Sequence, residues 1–128
     1  KSLKESKLTL GFTSFLDMIN SDSKNKAYVL SGGSTKELNE VFKHKNLYNR
    51  FDGIFGGPAT KEENLNKINI EKPSVFFGDS KKDYEISLKS NLKFIFVSDY
   101  SSFKNFKDFF SKKEIKVIKN FSKIKTLN

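Results

Sequence analysis

The strongest constraint on this chain is a repeated pattern. A short apolar run meets small or acidic residues, and a segment with helical spacing follows. The runs are Ala27-Tyr28-Val29-Leu30, Phe51-Asp52-Gly53-Ile54-Phe55, Val75-Phe76-Phe77 and Lys93-Phe94-Ile95-Phe96-Val97. Their length and their flanking Gly, Pro, Asn and Ser residues predict strands. Between them lie helical segments. Lys36–His44 carries Leu38, Val41 and Phe42 at i, i+3 and i+4, Glu62–Ile68 carries Leu65 and Ile68, and a third includes Tyr84, Ile86 and Leu88. A first helix is predicted from Leu8 through Ile19, with Thr13 or Ser14 as its cap. The tail reads as an aromatic helix (Phe103, Phe106, Phe109, Phe110) and a short strand, Ile115–Ile118. A last amphipathic turn follows at Phe121, Ile124 and Leu127. Such alternation predicts an α/β fold, a parallel sheet with helices on both faces. No repeat and no linker divides residues 1–128, so one domain is expected.

Composition limits the classes of function. The chain has 128 residues, enough for one modest core, and only 36% are hydrophobic. Fourteen Phe and four Tyr supply the bulk. No apolar run is long enough to span a bilayer. The first residues, Lys1-Ser2-Leu3-Lys4-Glu5-Ser6-Lys7, are charged and lead into no apolar signal segment. There is no initiator Met, so the expectation is a chain that starts inside something longer, or has been processed or tagged. Cysteine is absent, which excludes disulfides and thiolate metal sites and fits a cytoplasmic location. The net charge of +9 raises the question of nucleic acid. Arg50 is the only arginine, however, and phosphate and base readers favour the bidentate Arg fork. Lysine scattered along the whole chain reads as a solvated surface. Neither specific nucleic-acid binding nor membrane association is expected.

Three loops that follow strands carry the candidate chemistry. Ser31-Gly32-Gly33-Ser34-Thr35 leads from a strand into a helix, where backbone N–H groups and glycine allow an oxyanion to approach. It lacks the Gly-Lys-Ser/Thr ending of a Walker loop, and Ser34 or Thr35 as a plain helix cap explains it equally well. Gly56-Gly57-Pro58-Ala59-Thr60 ends at Lys61. Gly78-Asp79-Ser80-Lys81-Lys82-Asp83 offers two carboxylates just beyond a strand, where open α/β sheets bind ligands. Its bland alternative is Asp79 as a helix cap with Asp83 in the first turn. In one parallel sheet all three loops share an edge. Together they supply a phosphate cradle, a cation and a carboxylate pair for Mg²⁺, the parts that phosphoryl transfer needs.

At these residues the chain resembles the haloacid dehalogenase (HAD) superfamily of phosphohydrolases, and within it the phosphoglycolate-phosphatase-like group. Tyr28-Val29-Leu30-Ser31-Gly32 resembles the second motif of that family. Lys61 resembles the third, and Val75-Phe76-Phe77-Gly78-Asp79 through Asp83 resembles the fourth in its GDxxxD form. Phe94–Val97 resembles the strand that follows. The resemblance covers roughly residues 8–100. It implies a three-layer α/β/α Rossmann-like core. It implies that Ser31 and the Gly32 N–H bind phosphoryl oxygens and that Lys61 neutralises the phosphoryl group beside the nucleophile. It also implies that Asp79 binds Mg²⁺, with Asp83 supporting the metal shell or pairing with Lys61. His44 has no place in it.

One departure is large. The first motif of the family, Asp-x-Asp-x-Thr/Val, supplies the nucleophile and the acid/base, and no Asp-x-Asp occurs in this chain. The cap segment that sets substrate choice is absent too. In the family the nucleophile's strand lies between the strands ending here at Ser31 and Asp79, so the chain is expected to be a partial HAD-type core lacking its first strand. Without that strand two central strands have open edges. The expected function is a Mg²⁺-dependent phosphatase acting on a small phosphorylated metabolite through an aspartyl-phosphate. Its nucleophile would come from a missing N-terminal segment or a complementary chain. The alternative is an inactive domain that binds a phosphorylated ligand or a partner protein.

Overall fold

The computed structural model describes residues 11–70, 74–99 and 101–122. It is an α/β fold in which every strand pairing is parallel. The described residues form two compact units, Thr13–Asn69 and, with residues 11–12, those of 70–122.

The first unit begins with α1 (Phe12–Asn20), whose Phe15 and Leu16 are buried. Phe12 itself groups with the second unit. β1 (Tyr28–Ser34) pairs with β2 (Gly53–Gly57). The strand does not end at Leu30, as its apolar run predicts. It continues through the glycines, because Ser34 finds a partner in Gly57 after a shift of register beyond Leu30. Ser31, Gly32 and Gly33 therefore form a bulge. Next comes α2 (Thr35–His44), capped by Ser34, whose hydroxyl accepts from the Glu37 N–H at 3.0 Å. Leu38, Val41 and Phe42 are its buried stripe. After a 3₁₀ turn at Tyr48–Arg50 and β2, α3 (Lys61–Leu65) closes the unit. It is shorter than its apolar spacing predicts, and Ile68 lies beyond its end, half-buried.

In the second unit β3 (Val75–Gly78) pairs with β4 (Lys93–Val97), which pairs in turn with β5 (Lys116–Ile118). α4 (Lys81–Lys89) and α5 (Phe106–Phe110) join them. β4 is the middle strand, and its residues Phe94, Ile95, Phe96 and Val97 are all buried. A continuous apolar run is what a parallel strand covered on both faces requires. Phe96 is fully enclosed. Its ring lies 5.1 Å from that of Phe106 and 5.0 Å from that of Phe110. Tyr84 meets Phe94, Phe109 and Phe110 edge to face. Phenylalanine thus provides the core that the low apolar content left in question. α5 starts at Phe106, although Phe103 also packs against this cluster. Leu88, on α4, is 60% exposed. Phe121 is buried, while Ile124 and Leu127 lie outside the described residues.

The strands thus make two ladders, β1–β2 and β3–β4–β5. Among the described residues β1 is paired on one side only, and so is β3.

Phe96→Ala should cost about 3–5 kcal/mol, the usual loss for a large core aromatic. Leu88→Ala should stay within about 0.5 kcal/mol, as exposed substitutions do. Urea denaturation of both variants checks this, and comparable losses would contradict the packing described.

Candidate functional site

In the first unit the candidate residues sit where β1 and β2 end. The Gly33 N–H donates to Ser31 Oγ at 3.1 Å, which fixes the serine within the bulge. Gly32 is exposed, and a Cβ built on it would meet no atom within 4 Å. Its φ is not in the left-handed region. Packing inside the chain therefore does not demand glycine there. A bare backbone at this point leaves room for a ligand to come close. Gly56 differs. Its Cβ would stand 2.3 Å from the Gly33 carbonyl oxygen and 2.7 Å from Leu38, so only glycine fits.

The end of β2 is held from two sides. Thr35 Oγ1 accepts from the Gly56 N–H at 3.1 Å and donates to the Gly57 carbonyl at 3.2 Å. Asn64, 2% exposed, donates to the Gly56 carbonyl at 3.0 Å and accepts from Lys67 Nζ at 3.2 Å. Beyond this clamp Thr60 opens α3 with a capping box. Its hydroxyl accepts from the Glu63 N–H at 3.1 Å, and its own N–H donates to the Glu63 carboxylate at 2.9 Å. Lys61 is the first residue of that helix and is half-buried. A cation at the positive end of a helix is unfavourable by a few tenths of a kcal/mol, on the order of the usual dipole effect. Helix stability therefore does not explain Lys61. Because Ser34 pairs with Gly57 in parallel, the Ser31–Gly33 bulge and the segment leading to Lys61 lie at the same end of the ladder.

In the second unit β3 ends at Gly78 and the next residue, Asp79, is exposed. Asp79 does not cap α4. Ser80 does, its hydroxyl accepting from the Asp83 N–H at 3.1 Å. Asp83 lies in the first turn and is 2% exposed. Its carboxylate accepts from the Asp79 N–H at 3.3 Å. This contact is possible because residue 78 is glycine, whose Cβ would lie 2.5 Å from that of Asp83. On the other side of Asp79, the buried Ser101 hydroxyl donates to its carbonyl. Ser101 Oγ also accepts from the Phe103 N–H at 3.1 Å.

Among the described residues no group of three His, Cys, Asp or Glu side chains is placed to hold a metal. A closed all-protein cage is therefore not available there. Mg²⁺ does not need one, since it binds through one or two carboxylates, waters and substrate phosphate. Asp79, exposed just beyond β3, could serve as such a carboxylate, while Asp83 is buried and holds the Asp79 N–H. His44 is exposed in the last turn of α2. Thr35, Asn64 and Ser101 brace the loops and carry no local sequence signal of doing so, because each acts on backbone distant in sequence or through burial.

No family model matches the chain, and no curated protein matches it. Two solved structures do. A HAD-superfamily hydrolase from Ehrlichia chaffeensis is 25% identical with a TM-score of 0.67, over 90% of this chain and 54% of that one. An inferred phosphatase from Clostridium difficile is 20% identical with a TM-score of 0.71, over 89% of this chain and 57% of that one. The fold is that of the HAD superfamily. The chain spans only about half the length of these HAD-like structures. Of the HAD-like candidates, Ser31, Gly32 and Lys61 belong to the first unit, while Asp79 and Asp83 belong to the second.

The capping box has a pH signature. The Thr60 N–H first and the Thr60 side chain second hold the Glu63 carboxyl below its ordinary 4.5; desolvation opposes them less strongly, and the Lys67 charge adds the least. A lowered folded pKa means the stabilisation is present above 4.5 and is lost as the pH falls from there through the folded value. Glu63→Gln keeps an acceptor but removes the titration. Thermal melts across that acid range should show a smaller drop for E63Q than for the parent, and equal drops would remove Glu63 as the cause.

Proposed function

We propose that this chain is part of a Mg²⁺-dependent phosphomonoester hydrolase acting on a small phosphorylated metabolite. What carries the reading is the shared edge of the β1–β2 ladder, where a serine hydroxyl, an unobstructed glycine backbone and a half-buried lysine occur together. Ser31 and the Gly32 N–H hold phosphoryl oxygens. The Lys61 ammonium offsets the charge that builds on the phosphoryl group in the transition state. Asp79 would hold Mg²⁺, with Asp83 supporting it as the HAD resemblance implies, and the ion when bound would supply further charge neutralisation.

The nucleophile comes from outside this chain, from an N-terminal segment or a complementary chain. As the HAD resemblance implies, its carboxylate oxygen bonds to phosphorus while the ester P–O bond breaks. The leaving alcohol takes a proton, and water then cleaves the aspartyl-phosphate. A cytoplasmic location is part of the proposal, supported by the cysteine-free composition. No helix among the described residues is long and apolar enough to cross a membrane.

The lack of any Asp-x-Asp favours a second reading, a HAD-like domain that binds a phosphorylated ligand or a partner protein without turnover. One experiment separates the two. The chain is joined to whatever is encoded upstream of Lys1 and assayed with p-nitrophenyl phosphate and Mg²⁺. Turnover supports the hydrolase, and phosphate binding without turnover supports the binding domain. In an active protein Lys61→Ala and Asp79→Ala should each lower kcat by roughly 10²–10³, the range for losing one charge-stabilising group. Unchanged rates would refute the assignments. The 128 residues alone should be inactive, and Mg²⁺-dependent turnover by them would overturn the external nucleophile.

A further inference from the structure

We infer that Ser101 is a positioning residue for the Asp79 carboxylate. The inference rests on the metal-binding reading of Asp79. The Asp79 residue is gripped at both of its backbone polar groups. Its N–H donates to the buried Asp83 carboxylate at 3.3 Å, and its carbonyl accepts from the Ser101 hydroxyl. These two partners come from opposite directions in sequence. Asp83 belongs to the helix that follows Asp79, and Ser101 to the loop after β4.

Ser101 is itself fixed. It is 4% exposed, its N–H donates to the Ser98 carbonyl at 3.1 Å, and its hydroxyl oxygen accepts from the Phe103 N–H at 3.1 Å. Its carbonyl accepts from Lys104 Nζ at 3.1 Å. A rigid donor thus fixes the plane of the peptide that leaves Asp79, as Asp83 fixes the one that enters it. With both planes fixed, the direction in which the Asp79 side chain leaves the backbone is fixed too. A metal that takes one or two protein carboxylates in a strict octahedron depends on how each is presented. Residues one step removed from a metal ligand commonly change affinity by about 10–100-fold when mutated.

An isosteric pair isolates the hydroxyl. Ser101→Thr keeps it and Ser101→Val replaces it with a methyl of the same shape, so any crowding is common to both. Mn²⁺, a paramagnetic stand-in for Mg²⁺, is titrated into the full 128-residue chain, and the free ion is read by electron paramagnetic resonance. The parent and S101T should bind alike. S101V, and S101A if it folds, should bind roughly 10-fold more weakly. Asp79→Ala should abolish the site. Equal affinities for S101T and S101V, with D79A inactive in binding, would overturn the role of Ser101 and leave the Asp79 reading standing. No Asp79-dependent Mn²⁺ binding by the parent chain would overturn both. A purely structural Ser101 would lower the melting temperature of S101V without moving its Mn²⁺ affinity.

Discussion

A parallel ladder has one edge at which all its strands end. Everything this chain offers chemically depends on that constraint. β1 and β2 run the same way, so the serine–glycine bulge and the segment leading to Lys61 lie at the same end. β3 and β4 do likewise, so the Asp79 loop and the loop carrying Ser101 emerge side by side and can bond. An antiparallel arrangement of the same strands would send these loops to opposite ends. Each unit therefore converts a sequence in which the relevant residues lie about 20 to 30 positions apart into a local group.

The cores that hold these ladders differ in kind. The first unit relies on the aliphatic and aromatic stripe of α2, Leu38, Val41 and Phe42. The second relies on rings, with Phe94, Phe96 and Phe110 buried together and Phe76, Phe103, Phe106 and Phe109 packed around them. Lysines extend this arrangement outward. Lys113 Nζ lies 4.4 Å from the centre of the Phe109 ring and Lys81 Nζ lies 5.0 Å from it. Part of the positive charge that suggested nucleic acid is thus placed over aromatic faces.

Much of the fold was legible because strand signals are local. Lys93–Val97 is a strand with the bounds its apolar run indicates. Val75–Phe77 is one as well, extended by Gly78. The Ser34 cap was legible too, although Thr35 was its equal on sequence grounds. Thr35 turned out to bond across to Gly56 and Gly57, and no local pattern announces a bond between residues more than 20 apart. The same holds for Ser101 and Asp79. β1 ran past its predicted end because glycines read as loop in isolation, whereas a neighbouring strand can pair them through a bulge. Among the candidate site residues, type and order were visible. What was not visible was that Ser80 caps α4, which leaves Asp79 facing solvent and Asp83 buried behind it. HAD-like architecture was readable from three strand ends, and the bracing beneath them was not.

Gly78 and Asp83 share one small volume, since a Cβ at residue 78 would lie within 2.8 Å of the Asp83 carboxylate oxygen that holds the Asp79 N–H. Neither position can drift alone. A larger residue at 78 expels Asp83 from its bond, and a shorter residue at 83 leaves the Asp79 N–H without that acceptor. Because the nearest atom is the Asp83 Cβ itself, at 2.5 Å, shortening residue 83 makes no room for a side chain at 78 unless 83 becomes glycine as well. The loop that presents Asp79 is thus held by excluded volume as well as by its hydrogen bonds.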